Sequence, residues 1–138
     1  MPDEYKAPLP NPTPESKPFW DACKRHELHL QRCRDCAEAY FYPRELCPRC
    51  LSRNVEWFRA SGRGKLHTFV IVHRGLKVTP LELPYVLAVV ELDEGPRLMS
   101  NLVGVEPDPA KLRCDMPVVV DFADVTSAVT LPRFRPAA

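Results

Sequence analysis

Four cysteines set the strongest constraint on this chain. Cys33-Arg34-Asp35-Cys36 and Cys47-Pro48-Arg49-Cys50 form the pattern C-x2-C-x10-C-x2-C. Each C-x2-C turn aims two thiolates at one point, and two such turns complete a tetrahedral sulfur site of the kind that zinc prefers. All four positions are filled by thiolate, so no place is left for water or substrate, and the spacing predicts a structural Zn2+ held by Cys33, Cys36, Cys47 and Cys50. A rubredoxin-like iron has the same ligand set. Disulfides are disfavoured because the N-terminus, Met1-Pro2-Asp3-Glu4-Tyr5, is acidic and lacks the basic start and apolar stretch of a secretory signal. A redox C-x-x-C does not explain two matched pairs. Cys23 and Cys114 have no partner at ligand spacing and read as small buried apolar residues. His29, four residues before Cys33, reads as a strand or surface residue because four thiolates already complete the site.

The rest of the chain can be ordered around this centre. Residues 1–13 hold four prolines and little apolar periodicity and read as a flexible arm. Residues 14–27 read as a helix: Ser16 can cap it, Pro18 suits its first turn, and Phe19, Cys23 and His26 recur at i, i+4, i+7. Residues 28–60 carry the cysteines, with Tyr40, Phe41, Tyr42, Trp57 and Phe58 available to pack beside the metal. Ser61-Gly62-Arg63-Gly64 marks a turn or bulge at a junction. Residues 61–138 then read as five strands: Lys65–His73, Pro84–Leu92, Arg97–Val103, Val118–Phe122 and Val125–Leu131, with Asp93-Glu94-Gly95-Pro96 as a hairpin turn. Five short strands with a partly helical connection at Val105–Leu112 predict a small closed barrel of OB type. An SH3-like barrel is its nearest competitor on periodicity.

Charge narrows the function classes. The chain has 19 basic and 18 acidic residues, net +1, so no general pull toward nucleic acid or anionic membrane is expected. The balance is local: residues 24–74 hold 11 basic and 5 acidic groups, whereas both flanks are acidic. No apolar run approaches the ~20 residues a membrane helix needs, and a cytoplasmic location is expected. G-x-S-x-G, H-E-x-x-H and a phosphate-cradling glycine loop are all missing, so the chain is not expected to be catalytic by itself. His67 and His73 fall on one face of a predicted strand and read as ordinary polar positions.

An ordered set of short motifs accompanies the cysteines: Pro18-Phe19-Trp20, Leu28-His29-Leu30-Gln31-Arg32-Cys33, Tyr42-Pro43-Arg44, Val55-Glu56-Trp57, Ser61-Gly62-Arg63-Gly64 and Leu131-Pro132-Arg133-Phe134-Arg135-Pro136. Over residues 14–136 the chain resembles the family of rubredoxin-like zinc-ribbon plus OB-fold proteins associated with thiolases. It departs in one respect: Ala37 and Leu51 stand where such knuckles commonly place glycine. The resemblance implies an N-terminal helix, a zinc ribbon and an OB barrel. It further implies a non-catalytic accessory subunit that binds acyl-CoA and forms a hetero-oligomer with a thiolase-like enzyme: a thiolase, a hydroxymethylglutaryl-CoA synthase or an acyl-CoA aldolase.

On that reading the segment Arg74–Leu83 is of interest, because Leu76, Val78, Leu81 and Leu83 are large apolar residues in a predicted loop and need a cover. The cover would be a thioester chain, a partner surface or the barrel mouth. Arg63, Lys65, Arg74 and Lys77 are then the candidates for CoA phosphates. The alternative reading is a single-stranded nucleic-acid-binding module, since zinc ribbons and OB folds both serve that role. It lacks stacking platforms: Pro84–Leu92 offers only Tyr85, and Arg97–Val103 offers no aromatic residue.

Overall fold

The computed structural model describes residues 5, 7–75 and 82–137. One helix, α1 (Lys17–Lys24), precedes a ribbon of three strands, β1 (His29–Cys33), β2 (Ala39–Tyr40) and β3 (Val55–Arg59), in the order β2-β1-β3. Five further strands follow: β4 (Arg63–Val72), β5 (Tyr85–Leu92), β6 (Arg97–Leu102), β7 (Pro117–Asp124) and β8 (Thr130–Pro136). They close in the order β4-β5-β6-β8-β7, with β6 and β8 parallel. This is the OB arrangement, and a 3-10 turn at Pro109–Lys111 sits between β6 and β7, where helical character was expected. Among the described residues no helix is long and apolar enough to cross a membrane.

The helix is shorter than its sequence pattern suggests. Phe19 and Cys23 are buried, but His26 lies beyond the C-terminus at φ 60° and is exposed. Its ring stacks on Phe122 at 5.3 Å, and its Nε2 meets Asp124 Oδ1 at 2.9 Å, which ties the helix exit to β7. Ser16 occupies the N-cap position without capping through its side chain. Its hydroxyl instead accepts from the Thr13 N–H at 2.9 Å.

Alternation is regular in β5, where Val86, Ala88, Val90 and Leu92 point into the barrel. In β4 it reverses. Gly64 and Leu66 face inward, the pairing with β5 shifts between Leu66 and Thr68, and Phe69 and Ile71 then face the core. A bulge adds one residue to one strand and so flips every later side chain. His73 lies past the end of this strand at Val72, so His67 and His73 do not share a strand face. Gly64 permits a close approach of β4 to β5, since a Cβ there would lie 2.4 Å from the Glu91 carbonyl oxygen.

The last strand is displaced from the expected Val125–Leu131. Residues 125–129 form a turn, in which the Val125 and Thr126 N–H groups donate to the Val129 carbonyl, and β8 runs through two prolines. Prolines argue against an internal strand because they cannot donate. Here the Ala137 N–H donates to Pro117 O, so odd-numbered residues of β8 bond to β7, and the nitrogens of Pro132 and Pro136 point toward β6. That side carries a single ladder pair, Leu102 with Phe134. The next parallel rung would need a Pro132 N–H, and Ser100 Oγ donates to Pro132 O in its place at 2.8 Å.

One apolar core joins the three parts. Phe19 and Cys23 of the helix, Leu28 and Leu30 of the ribbon, and Leu66, Val90, Leu98, Val118 and Phe134 of the barrel belong to the same cluster. Phe41, Trp57 and Phe58 pack on this shared core rather than forming a separate core around the cysteines. Cys114 is exposed, contrary to expectation, in a turn between the 3-10 segment and β7. In the same connection Leu112 takes the inward position and is buried, while the turn at 114–115 carries Cys114 out to solvent.

Candidate functional site

The four cysteines meet as the spacing requires. Cys33 ends β1, and Cys36 follows in its turn. Cys47 and Cys50 form a second turn before β3. Their sulfur atoms all lie within 4.8 Å of one another, with Cys33–Cys50 at 3.5 Å and Cys36–Cys47 at 3.6 Å. A tetrahedron with Zn–S bonds of about 2.3 Å has edges of about 3.8 Å, so the donor set fits Zn2+ in a closed structural site. The two knuckles have the same backbone form: Ala37 N donates to Cys33 O, and Leu51 N donates to Cys47 O, each at 2.9 Å. Both turns end in the left-handed region, at φ 63° for Ala37 and 64° for Leu51, the conformation that favours glycine. Backbone N–H groups of Cys50 and Arg49 pull the Cys47 thiol down to about 7, whereas the Cys50 thiol, despite the Ser52 backbone N–H, is pushed up to about 12 by the neighbouring thiols of Cys33, Cys36 and Cys47 and by burial, so the four groups share protons rather than ionising together.

Polar side chains brace the centre. Buried Gln31 accepts from Arg44 N at 2.8 Å, and Tyr40 donates its hydroxyl to Arg44 O at 3.0 Å, which pins the strap leading to the second knuckle. Asp35, inside the first knuckle, accepts from Ser52 Oγ at 2.5 Å and from Asn54 Nδ2 at 3.0 Å. These bonds hold its carboxyl below the ordinary carboxylate value. His29 stands on β1 and meets Glu27 Oε1 at 2.9 Å, outside the cysteine set.

Two apolar recesses lie away from the metal. A cavity of about 240 Å³ is lined by Pro84, Tyr85, Val86, Leu102, Val103 and Val105, at the end of the barrel where residue 82 re-enters it. A groove of about 350 Å³ runs where helix, ribbon and barrel meet, along the β6–β8 seam. Its walls include Phe19, Trp20, Phe41, Tyr42, Met99 and Pro132, and Arg133 stands at its edge. Met99 is 67% exposed and Tyr42 42%. The indole Nε1 of Trp20 is buried with no hydrogen-bond partner among the described residues. Arg133 has no ion-pair partner among them, although it faces Asp121 in the β7–β8 register. Sequence reading missed this groove, because its walls come from segments about 80 residues apart.

The candidate phosphate ligands do not form one cluster. Arg63 and Lys65 open β4, where Lys65 Nζ lies 3.9 Å from both Glu91 and Asp115. Arg74 lies past the far end of the same strand, whose stretch from Lys65 to Val72 alone spans about 23 Å at ~3.3 Å per residue. Val72 pairs with Tyr85, so Arg74 sits at the barrel end that holds the smaller cavity. Lys77 and the apolar residues Leu76, Val78 and Leu81 lie outside the described residues.

Comparison with known proteins gives two family-model matches. Residues 20–56 match the rubredoxin-like zinc ribbon domain of ChsH2, and residues 57–123 match its C-terminal OB-fold domain. A Thermomonospora curvata protein named as a probable enoyl-CoA hydratase alpha subunit is 41% identical over 86% of this chain and 37% of its own length. The benzoylsuccinyl-CoA thiolase subunit BbsA of Geobacter metallireducens is 36% identical over 68% of this chain and 60% of its own length. The chain thus spans less than two thirds of these relatives. Among solved structures, the chain is similar to a chain of the Ltp2-ChsH2(DUF35) aldolase at 37% identity and a TM-score of 0.83, covering 94% of this chain and 100% of that one.

Proposed function

The chain belongs to the ChsH2 family of rubredoxin-like zinc-ribbon and OB-fold proteins, and we propose that it is a non-catalytic accessory subunit that docks on a thiolase-like enzyme and holds an acyl-CoA against it. The observation that carries this reading is the groove between helix, ribbon and barrel. Protein interfaces are enriched in aromatic residues, Met and Arg, and this groove gathers Trp20, Tyr42, Met99 and Arg133 at the place where all three parts converge. Such a recess suits the docking of a partner chain. Subunit names among the relatives, an aldolase complex and a thiolase subunit, point to the kind of partner.

The acyl-CoA would lie at the other recess. Its largely apolar lining suits a thioester chain, and Arg74, at the same end of the barrel, would with Lys77 answer the phosphates by charge-assisted hydrogen bonds. Arg63 and Lys65 stand at the opposite end of β4 and would serve a ligand or partner surface there. The catalytic groups would belong to the partner, while the zinc ribbon keeps the helix and the barrel in fixed relation.

The test is mild affinity purification from native extract, followed by acyl-CoA titration of whatever complex is recovered. A stoichiometric thiolase-like chain, with acyl-CoA affinity weakened by Arg74→Ala, is expected. Recovery of the protein alone, or with single-stranded nucleic acid, would overturn the reading and favour the nucleic-acid module.

A further inference from the structure

The two knuckles are separate loops, and a metal bound between them leaves only when they part. Beyond the four thiolates, the side chain that joins them most extensively is Asp35. It lies between Cys33 and Cys36, and its carboxylate reaches across to the segment that follows Cys50. Oδ2 accepts from Ser52 Oγ at 2.5 Å, and Oδ1 accepts from Asn54 Nδ2 at 3.0 Å. Ser52 Oγ in turn accepts from Asn54 N at 3.0 Å, so the two donors are themselves held in place. The backbone follows the same path: Arg34 N donates to Asn54 O at 2.8 Å, and Cys47 N to Ser52 O at 2.9 Å. Both carboxylate oxygens are therefore engaged by the other half of the site, a two-point clasp whose geometry is fixed at each end.

We propose that Asp35 is a positioning residue of the metal centre: it clasps the first knuckle to the second and slows metal loss without being a ligand. Ligating groups are commonly oriented by partners outside the coordination sphere, and loss of such a partner weakens metal retention by roughly 10–100-fold. Here the partner acts on the backbone that carries the thiolates. A second link, Arg49 Nη1 to Glu38 Oε2 at 3.0 Å, also spans the knuckles. It is a single exposed ion pair, a kind that contributes little.

The test is the rate at which the purified, zinc-loaded chain gives up zinc to an excess of a chromogenic chelator. Asp35→Ala is expected to accelerate release about tenfold, the low end of that range because the clasp is solvent-exposed. Asp35→Asn should fall between it and the wild type, since an amide oxygen can still accept one of the two bonds. The double variant with Asn54→Ala should release no faster than Asp35→Ala alone, because the bond that the Asn54 side chain makes to Asp35 is already gone. With Co2+ in place of zinc, the visible thiolate spectrum should be the same in wild type and Asp35→Ala. Three results would each overturn the proposal: wild-type release from Asp35→Ala, equal acceleration by Arg49→Ala, or a changed Co2+ spectrum. If Asp35→Ala does not fold, wild-type rates in both Asp35→Asn and Ser52→Ala would overturn it instead.

Discussion

Replacing Phe19 by alanine tests whether helix, ribbon and barrel share one core. Phe19 is 1% exposed and lies in the same cluster as Leu28, Leu30 and Phe134. Its ring centre is 5.0 Å from that of Trp20, edge-on, and 5.3 Å from that of Phe41. Truncating a buried phenylalanine costs about 3–5 kcal/mol, a range that already includes the cavity left behind. Each lost aromatic pair accounts for roughly 0.5–1.5 kcal/mol of that. Phe41 is anchored in the ribbon and cannot follow the helix inward, so the site should collapse poorly and the loss should be about 4 kcal/mol. That is a large share of the ~5–15 kcal/mol that holds a typical domain together. Urea unfolding of the zinc-saturated protein, followed by tryptophan fluorescence, is the assay, since Trp20 and Trp57 report on helix and ribbon. Met99→Ala is the comparison, because at 67% exposure it should change stability by no more than ~0.5 kcal/mol. A loss below ~1 kcal/mol for Phe19→Ala, or an equal loss for Met99→Ala, would refute the single shared core.

Four further outcomes are expected. Stripping the metal with a chelator should lower the thermal midpoint by more than ~10 °C, because metal binding by such sites supplies folding free energy; an unchanged midpoint would remove the structural role from the cysteine centre. Leu51→Gly should stabilise by about 0.5–1 kcal/mol, because Leu51 sits at φ 64° and is 70% exposed, so relief of the left-handed backbone outweighs the small packing loss; calorimetry of the holo-protein reads this. Gly64→Ala should cost about 1–3 kcal/mol or more, since the new Cβ would meet backbone rather than a side chain that can move aside; wild-type stability would show that β4 and β5 can separate freely. Asp124 is held below the ordinary carboxylate value, first by the Thr130 hydroxyl and then by His26, so its contribution is present above about pH 4. It is lost as pH falls through the lowered folded value, and the stability gap between wild type and Asp124→Asn, measured by urea unfolding, should close in acid.

Local pattern and tertiary context made different parts of this protein legible. The metal centre could be read from the chain because its ligands are close in sequence and their spacing sets the knuckle turn. Even the departures were informative: Ala37 and Leu51, where glycine is usual, do adopt left-handed backbone. The strand β5 was equally plain, because strict alternation has one meaning when one face is buried. By contrast, β4 hid its register, since a bulge leaves no mark in composition yet reverses which residues face inward. In β8 the strand was obscured by Pro132 and Pro136, which are tolerated only because their missing donors fall on the sparsely paired β6 side.

By itself, then, the sequence determined what short-range chemistry determines: the thiolate set, the alternating strands, the turn glycines and a small closed barrel. Tertiary structure alone decided which surfaces meet. It brought Phe19, Tyr42, Met99 and Pro132 to one groove. It also carried Asp35 to Ser52 and Asn54 across the metal centre. The physical reason is distance along the chain: a contact between remote segments is fixed by the sum of many packing choices, and no single residue or spacing encodes it.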